Sequence, residues 1–274
     1  MLDWSGGNDR GPRPKRDAIW AGLVRNGREV EPVYLRNRQV AEDWLDGTIA
    51  AERAQGRRVL AGFDFPFGYP SGFAAALTGR AAPLALWDWF EARVQDAPKA
   101  NNRFDLAGEI NARLSGAGPF WGNALKRDIP GLPRTKQICH NPFNDRRAAE
   151  ACAPGAFSCW QLSGVGAVGS QAIMGLPVLA RLRRRFRAAA WPFETWQDAP
   201  LVLVEIWPGL IRTAVRAVGD PIPDRAQVRL LARALARLAP GRLAAMLRVD
   251  APEEGWILGL GHESELAEAA GAPA

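Results

Sequence analysis

Two apolar runs of strand length in this chain each lead into a carboxylate. Residues 59–63 run directly into Asp64, and residues 201–204 run into Glu205. A third acid, Asp3, stands in the opening Met-Leu-Asp-Trp-Ser-Gly-Gly sequence. Strands this apolar must be buried, and burying an unpaired charge costs on the order of several kcal/mol. A divalent cation would compensate these acids together, so the sequence predicts a metal site where buried strands end.

The elements around these acids alternate between strands and helices. Residues 17–24 alternate in polarity and meet Asn26-Gly27, a strong hairpin signal, so residues 30–35 are predicted to be the returning strand. Helical spacing of apolar residues predicts helices over 39–55, 84–94, 104–114, 171–187 and 225–238. Further strands are expected over 59–64, over 200–207 and around 255–258. This order predicts an α/β fold.

The predicted secondary structure changes between residues 71 and 160. This stretch contains short helical pieces joined by long loops rich in glycine and proline. Loops of this length inside a compact domain are usually functional or belong to an insertion. We therefore predict a core made of residues 1–70 and 161–274, with residues 71–160 forming an inserted lid or cap.

Five short motifs, taken in order, carry a resemblance to a known family. They are Asp3 in the first strand, Phe63-Asp64-Phe65-Pro66, Glu205-Ile206-Trp207-Pro208, Asp224 ahead of a helix, and Glu254-Gly255-Trp256-Ile257. With this order of elements the chain resembles the domain of unknown function 429 family, predicted nucleases of the ribonuclease H-like fold. The resemblance implies a ribonuclease H-like, mixed five-stranded sheet flanked by helices, and it leaves about residues 75 to 160 unmatched.

Two departures from the family pattern weaken the predicted site. The family has Asp-x-x-Asp at its last helix, whereas here Asp224 is followed by Gln227, which leaves one carboxylate. Only Met1 and Leu2 precede Asp3, and a strand that short is not expected to hold an acid firmly. We therefore expect either a natural chain that begins further upstream or a degraded site.

The four acids are predicted to be both catalytic residues and metal ligands. Mg²⁺ and Mn²⁺ prefer oxygen ligands, and Mg²⁺ keeps several waters, so a shallow carboxylate cluster suits them. In a two-ion scheme Asp3 bridges the ions, Asp64 and Glu205 take one each, and Asp224 completes the second site. Such a pair would activate water and stabilise the leaving oxygen of a phosphodiester. Each acid also has a structural alternative: Asp64 as a turn cap, Asp224 as an N-cap, and Glu205 paired with an arginine.

Several basic and polar groups point to an anionic substrate. The net charge is +6, with arginines clustered at 181–187 and basic residues at 10–16, and such clusters attract polyphosphates unless they are merely solvated. Residues 164–169 read Gly-x-Gly-x-x-Gly, but no clear strand precedes them, so a tight turn is favoured over a dinucleotide site. The predicted substrate-binding residues are Arg103, Trp121, Lys136, Ser170 and Gln171.

Two classes of function compete on this sequence. The first is a metal-dependent nuclease or phosphohydrolase acting on nucleic acid or a nucleotide-like phosphodiester. The second is a non-catalytic binding or cofactor-assembly protein, related to molybdopterin or cobalamin chemistry, and it draws on the missing acid at Gln227. A third possibility takes residues 3–7 as the phosphate hairpin of an actin-like sugar kinase, but such kinases need two domains.

The composition sets the remaining expectations. Three cysteines without a Cys-x-x-Cys pair favour buried thiols over a zinc site. Asp3 and Asp9 stand where a signal peptide would be basic and then apolar, and no apolar run reaches the ~18 residues of a membrane span. We expect a cytoplasmic protein with no membrane partner. The oligomeric state cannot be predicted from these features.

Overall fold

The computed structural model describes residues 1–114 and 116–271. The strands are β1 (Leu2–Asp3), β2 (Ile19–Arg25), β3 (Arg28–Leu35), β4 (Val59–Phe63), β5 (Asp96–Ala97), β6 (Ala100–Asn101), β7 (Ala189–Ala190) and β8 (Leu201–Glu205). The helices are α1 (Arg38–Ala54), α2 (Phe73–Thr78), α3 (Pro83–Glu91), α4 (Arg103–Leu114), α5 (Ala148–Ala151), α6 (Val168–Phe186), α7 (Arg212–Val218), α8 (Pro223–Arg237), α9 (Pro240–Met246) and α10 (Glu263–Ala270). Short 3₁₀ turns cover Lys136–Ile138 and Pro208–Ile211.

A mixed six-stranded sheet lies at the centre, in the order β3-β2-β1-β4-β8-β7. The strands β1, β2 and β3 pair antiparallel, and β4, β8 and β7 continue from β1 as parallel strands. The predicted α/β class is therefore confirmed. β5 and β6 form a separate two-stranded sheet.

The prediction of five strands was wrong at one edge of the sheet. Ala189 and Ala190 form the edge strand β7, but a two-residue strand is too short to show an alternating pattern. The expected strand around 255–258 is reduced to a single bridge between Glu205 and Ile257. Gly255 has a φ of 79°, which breaks the extended backbone there.

The hairpin between β2 and β3 forms as the sequence predicts. Asn26 and Gly27 have φ values of 50° and 74°, which a two-residue type I′ turn requires. Gly22 on β2 has a different role, because a Cβ there would lie 2.3 Å from the carbonyl oxygen of Val228. Glycine at this position lets α8 pack directly on β2, and this packing brings the start of α8 close to β1.

The short first strand is well held despite its length. Leu2 pairs with Ala21 on one side and with Phe63 on the other, and Asp3 pairs with Trp20. The expectation that a strand of this length would leave Asp3 loose was therefore wrong. A central position in the sheet, with a neighbour on each side, makes up for the small number of residues.

The predicted insertion shares a hydrophobic core with the sheet. One cluster of buried residues joins strand residues such as Leu2 and Phe63 to Phe73, Trp87 and Trp160. A second cluster, which includes Val204 of β8 and Leu231 of α8, covers the opposite face. The division of the chain at residues 71 and 160 stays a prediction. In residues 1–114 and 116–271, no helix combines the length and apolar character that crossing a bilayer needs.

Candidate functional site

Asp3 and Asp64 lie at the ends of two neighbouring parallel strands. Leu2 of β1 pairs with Phe63 of β4, so the residues that follow, Asp3 and Asp64, are level with each other. Level residues on adjacent strands point to the same face of a sheet. The backbone N–H of Trp4 donates to Asp64 Oδ1 at 2.6 Å, which ties the two strand ends together. The structure thus brings these two predicted ligands to one place.

Asp224 reaches the same place from the first turn of α8. The helix begins at Pro223, and Ile222 is its N-cap, so the alternative in which Asp224 caps the helix was wrong. Proline supplies the first helical position because its fixed φ already matches the helix. The carboxylate of Asp224 accepts instead from the backbone N–H of Asp17, at 2.7 Å from Oδ2. This bond joins α8 to the chain just before β2.

The acids raise one another's pKa values. Burial, followed by the charges of Asp64, Asp224 and Asp17, raises the pKa of Asp3 well above its usual range. Burial raises the pKa of Asp64 to about 7, and burial also raises the pKa of Asp224. Among the described residues, no Lys, Arg or His forms an ion pair with Asp3, Asp64 or Asp224. The site therefore favours binding a proton or a cation.

Glu205 does not belong to this group. It pairs with Phe63 across β4 and β8, so it is one residue out of step with Asp64. Because side chains alternate along a strand, Glu205 points to the opposite face of the sheet from Asp64. The prediction that Asp3, Asp64 and Glu205 converge was therefore wrong for Glu205. Its carboxylate lies on the other face of the sheet and cannot share a metal ion with Asp3 and Asp64.

Glu205 is instead part of a buried ion-pair network. Arg147 donates from Nη1 to Glu205 Oε2 at 2.8 Å and from Nη2 to Glu205 Oε1 at 2.5 Å. The same guanidinium also donates to Glu150, and the backbone N–H of Phe67 donates to Glu205. The arginine alternative for Glu205 is the one that the structure shows. Burial raises the pKa of Glu205, while Arg147 opposes that shift.

A cavity of about 670 Å³ opens over the acids. One wall carries Asp3, Asp17, Asp64 and Asp224. The rest of its lining includes Arg103, the start of α6, and the glycine loop, which we define as residues 163–167. Ser170 and Gln171 of α6 also line it, and Gln171 Nε2 donates to the carbonyl oxygen of Trp4 at 2.5 Å. The lining of the cavity thus combines acids with groups that suit anions.

Arg103 is a positively charged group held by neutral partners. Its Nε donates to Ser170 Oγ at 3.0 Å, and its Nη1 donates to Asn101 Oδ1 at 2.7 Å. Its guanidinium also lies 4.3 Å from the centre of the Phe104 ring. Burial, with a further contribution from the nearby Arg38, lowers the pKa of Arg103 to about 10. An arginine positioned in this way, without a carboxylate, is available to an anion.

Close backbone approach explains the glycines at this site. A Cβ on Gly6 would lie 2.7 Å from the backbone of Ser170, so only glycine lets residues 5–7 approach α6. A Cβ on Gly169 would lie 2.5 Å from the carbonyl oxygen of Cys159. The Gly-x-Gly-x-x-Gly sequence therefore serves packing at the start of α6. The positive end of this 19-residue helix faces the cavity.

Two predicted substrate-binding residues lie away from the cavity. Lys136 forms an exposed ion pair with Asp145 at 2.7 Å. Trp121 forms a bridge with Gln161, and its indole N–H is buried without a partner among the described residues. Neither Trp121 nor Lys136 lines the cavity that holds the acids. Both predictions rest on residue type within a loop-rich region, where sequence spacing does not determine the direction of a side chain.

Two residues that the sequence motifs do not single out, Asp17 and Arg10, also line the cavity. A signal for Asp17 was present, because β2 runs antiparallel to β1 and its start must lie level with the end of β1. Asp17 has a φ of 52°, an uncommon conformation outside glycine. Arg10 Nη2 lies 3.7 Å from Asp17 Oδ2, an exposed ion pair at the edge of the acids.

The arginine cluster at 181–187 is largely neutralised. Arg181 pairs with Glu42, Arg183 with Glu194, Arg184 with Glu91 and Asp88, and Arg185 with Asp46. These pairs favour a structural role on the outer side of α6. The cluster therefore does not support a polyphosphate surface.

Two of the predicted metal ligands, Asp3 and Asp64, lie at neighbouring strand ends. Within residues 1–114 and 116–271, no three His, Cys, Asp or Glu side chains are placed to hold one ion together. Mg²⁺, however, is commonly bound through one or two carboxylates, with waters and substrate phosphates as its other ligands. Asp3 and Asp64, both half-buried and without an ion-pair partner among the described residues, supply that number of carboxylates. With Glu205 on the other face, the two-ion scheme loses one of its four ligands.

Comparisons with known proteins give no relative: no protein-family model, no curated protein and no solved structure matches the chain significantly. The function must therefore be inferred from the site itself.

Substitutions at Asp224 separate its charge from its hydrogen bond. Asp224→Asn keeps an oxygen for the N–H of Asp17 but removes the charge, so we expect little loss of stability and a large loss of any metal-dependent activity. Asp224→Ala also removes the hydrogen bond and should cost about 1 kcal/mol. Thermal unfolding and hydrolysis assays on both variants measure the two effects. Full activity in Asp224→Asn would show that its charge takes no part.

Proposed function

We propose that this protein is a metal-dependent phosphohydrolase or nuclease of the ribonuclease H-like fold. Three antiparallel strands followed by parallel β4 and β8, with α1 between β3 and β4, support the fold proposal. One observation carries the functional proposal. Three half-buried acids without a basic partner among the described residues, Asp3, Asp64 and Asp224, and an arginine without an acidic partner, Arg103, line the same cavity.

The acids and the groups that suit anions match the two parts of a metal-bound phosphate ester. In this proposal Asp3 and Asp64 hold Mg²⁺ or Mn²⁺. Arg103, the glycine loop and the start of α6 bind the phosphate oxygens, because helix N-termini and guanidinium groups both favour anions. Ser170 and Gln171 keep this wall in place through their bonds to Arg103 and Trp4.

The side chains have distinct parts in the proposed reaction. When bound, the metal ion supplies positive charge next to the phosphoryl group. Arg103 stabilises negative charge that develops on the phosphoryl oxygens, and its half-buried position strengthens that interaction. As the water oxygen bonds to phosphorus and the bond from phosphorus to the ester oxygen breaks, Asp224 accepts the proton of that water and the leaving oxygen takes a proton from solvent. The raised pKa of Asp224 makes it a better base than an ordinary aspartate.

Metal titration with a matched variant tests this proposal. We expect the wild-type protein to bind Mn²⁺ and Mg²⁺ in calorimetry and to hydrolyse bis(p-nitrophenyl) phosphate only with the ion present. Asp3→Asn should bind either ion at least about tenfold more weakly, because a hard cation prefers a charged oxygen. Asp9→Asn is the control, since Asp9 is held by Arg36 and Asn37 outside the cavity.

The outcomes separate the two classes of function. Wild-type protein that neither binds the ions nor hydrolyses the diester would contradict the proposal. Ion binding without hydrolysis would instead support the alternative, a binding or cofactor-assembly protein related to molybdopterin or cobalamin chemistry.

A further inference from the structure

A second cavity continues the first one past the acids. Its volume is about 480 Å³, and it shares Asp64, Val168 and Gln171 with the cavity described above. The carboxylate of Asp64 therefore stands where two open cavities meet, and not at the closed end of a pocket. A substrate bound at Asp64 has room on both sides.

The second cavity carries two exposed arginines from α7. Arg212 and Arg216 are one helical turn apart, so they lie on the same side of the helix. Neither makes an ion pair or a side-chain hydrogen bond within residues 1–114 and 116–271. The arginines at 181–185, in contrast, are paired with carboxylates. Arg212 and Arg216 thus leave positive charge available on the wall of this cavity.

Aromatic rings lie next to these arginines. Trp207 lines the cavity and covers Gly209, where a Cβ would lie 2.3 Å from the indole ring. Phe157 also lines it, lies against Gly166 of the glycine loop, and is 43% exposed. Trp207 is half-buried. Accessible rings beside arginines without acidic partners are the combination that binds unpaired bases and the phosphates between them.

We propose that the two cavities together bind single-stranded nucleic acid as an extended chain that passes over Asp3 and Asp64. This inference rests on the proposed function and names its substrate. Arg103 and the glycine loop contact phosphates on one side, and Arg212 and Arg216 contact phosphates on the other. Phe157 and Trp207 stack on bases, which a duplex would keep paired and out of reach. A mononucleotide would leave the second cavity empty.

Binding of a fluorescent twelve-residue oligothymidylate, measured by anisotropy with Ca²⁺ in place of Mg²⁺, tests the proposal. The double variant Arg212→Gln/Arg216→Gln should bind roughly 10- to 100-fold more weakly at about 0.1 M salt. Each phosphate contact contributes about 0.7 to the slope of log K against log salt for single strands, so losing two should flatten it by about 1.4. The control Arg28→Gln/Arg80→Gln removes the same charge from exposed positions outside both cavities and should bind as wild type does.

A second variant tests the aromatic contact. Phe157→Ala should weaken binding about fivefold or more, as the loss of one stacked base does, and should leave the salt slope unchanged. The slope thus distinguishes loss of stacking from loss of phosphate contacts. Equal weakening of binding by the Arg28→Gln/Arg80→Gln control would show only nonspecific attraction and would overturn the proposal.

Failure of this proposal is distinguishable from failure of the proposed function. Wild-type affinity in the Arg212→Gln/Arg216→Gln variant, or equal affinity for a duplex of the same length, would overturn the extended single-strand site. Hydrolysis of bis(p-nitrophenyl) phosphate, which needs only the first cavity, would still stand in that case. Oligothymidylate binding that is weakened as expected in the variants, but without hydrolysis, would support the single-strand site formed by the two cavities and contradict the catalytic proposal.

Discussion

Asp64→Asn is expected to abolish hydrolysis and, at the same time, to stabilise the folded protein. The amide oxygen still accepts from the N–H of Trp4, but the buried charge is gone. Activity should fall on the order of 100- to 1000-fold, the usual cost of losing one electrostatic group of an active site. Stability at pH 8 should rise by about 2 kcal/mol, seen as an increase of roughly 4 to 8 °C in Tm.

The pH dependence of this gain has a definite sign. Asp64 has a pKa of about 7 in the folded protein against an ordinary 3.8, so the folded state holds its proton more tightly. The unfolded chain releases that proton first, and wild-type stability falls as the pH rises from about 4 to about 7. The advantage of Asp64→Asn should therefore be absent near pH 4 and complete above pH 7. An equal advantage at both pH values would contradict the assignment.

Metal ions should reverse the order of thermal stability of the wild-type protein and Asp64→Asn. An ion that binds only the folded state stabilises it by about 2.7 kcal/mol at a concentration 100 times its Kd. Wild-type protein should gain this stabilisation from Mg²⁺ or Mn²⁺, and the variant should gain much less. Thermal scans with and without the ion measure the difference directly.

Arg147→Met should be the most destabilising of these substitutions. Arg147 is fully buried between Glu150 and Glu205, and its removal leaves two buried carboxylates without a cation. Breaking a buried ion pair from one side typically costs about 3 to 5 kcal/mol. Chemical denaturation at pH 8 should show that loss. At pH 5 the loss should be smaller, because unpaired buried glutamates take up protons and lose their charge.

Glu205→Gln is the control that separates structure from catalysis. It leaves Arg147 with Glu150, but of the two bonds from Arg147 to Glu205 the amide keeps one acceptor and loses the other, so we expect a milder loss of about 1.5 to 3 kcal/mol. Hydrolysis per folded molecule should match that of wild type, in contrast to Asp64→Asn on the adjacent strand. A loss of activity as large as that of Asp64→Asn would return Glu205 to the catalytic site.

The difference between Asp64 and Glu205 shows what the sequence predicts and what it does not. Both acids follow apolar runs, and the sequence places both at strand ends. The pairing of Phe63 with Glu205, however, depends on how β4 and β8 align, and a shift of one residue exchanges the faces. Residue pattern within each strand carries no information about that alignment. The hairpin at Asn26-Gly27 was predictable because its turn alone fixes the pairing.

The sequence also does not predict which arginines form ion pairs. The cluster at 181–187 is conspicuous in the sequence, yet its members are matched by acids as far away as Glu42 and Asp46. Arg212 and Arg216 are unremarkable in the sequence, and among the described residues the fold gives them no acidic partner. Charge that is available to a ligand depends on these long-range pairings, which local sequence does not reveal.

The shared core around the insertion has a consequence for how this site was assembled. Arg103 begins α4, and the next buried residues of that helix, Phe104, Leu106 and Ile110, belong to the same core as Leu2 and Phe63. The position of Arg103 and the position of the acids thus depend on one shared core. A chain without residues 71–160 is therefore not expected to keep the arrangement of the remaining sheet and acids. The deletion would remove Arg103 from the cavity together with core residues that pack against the strands carrying the acids.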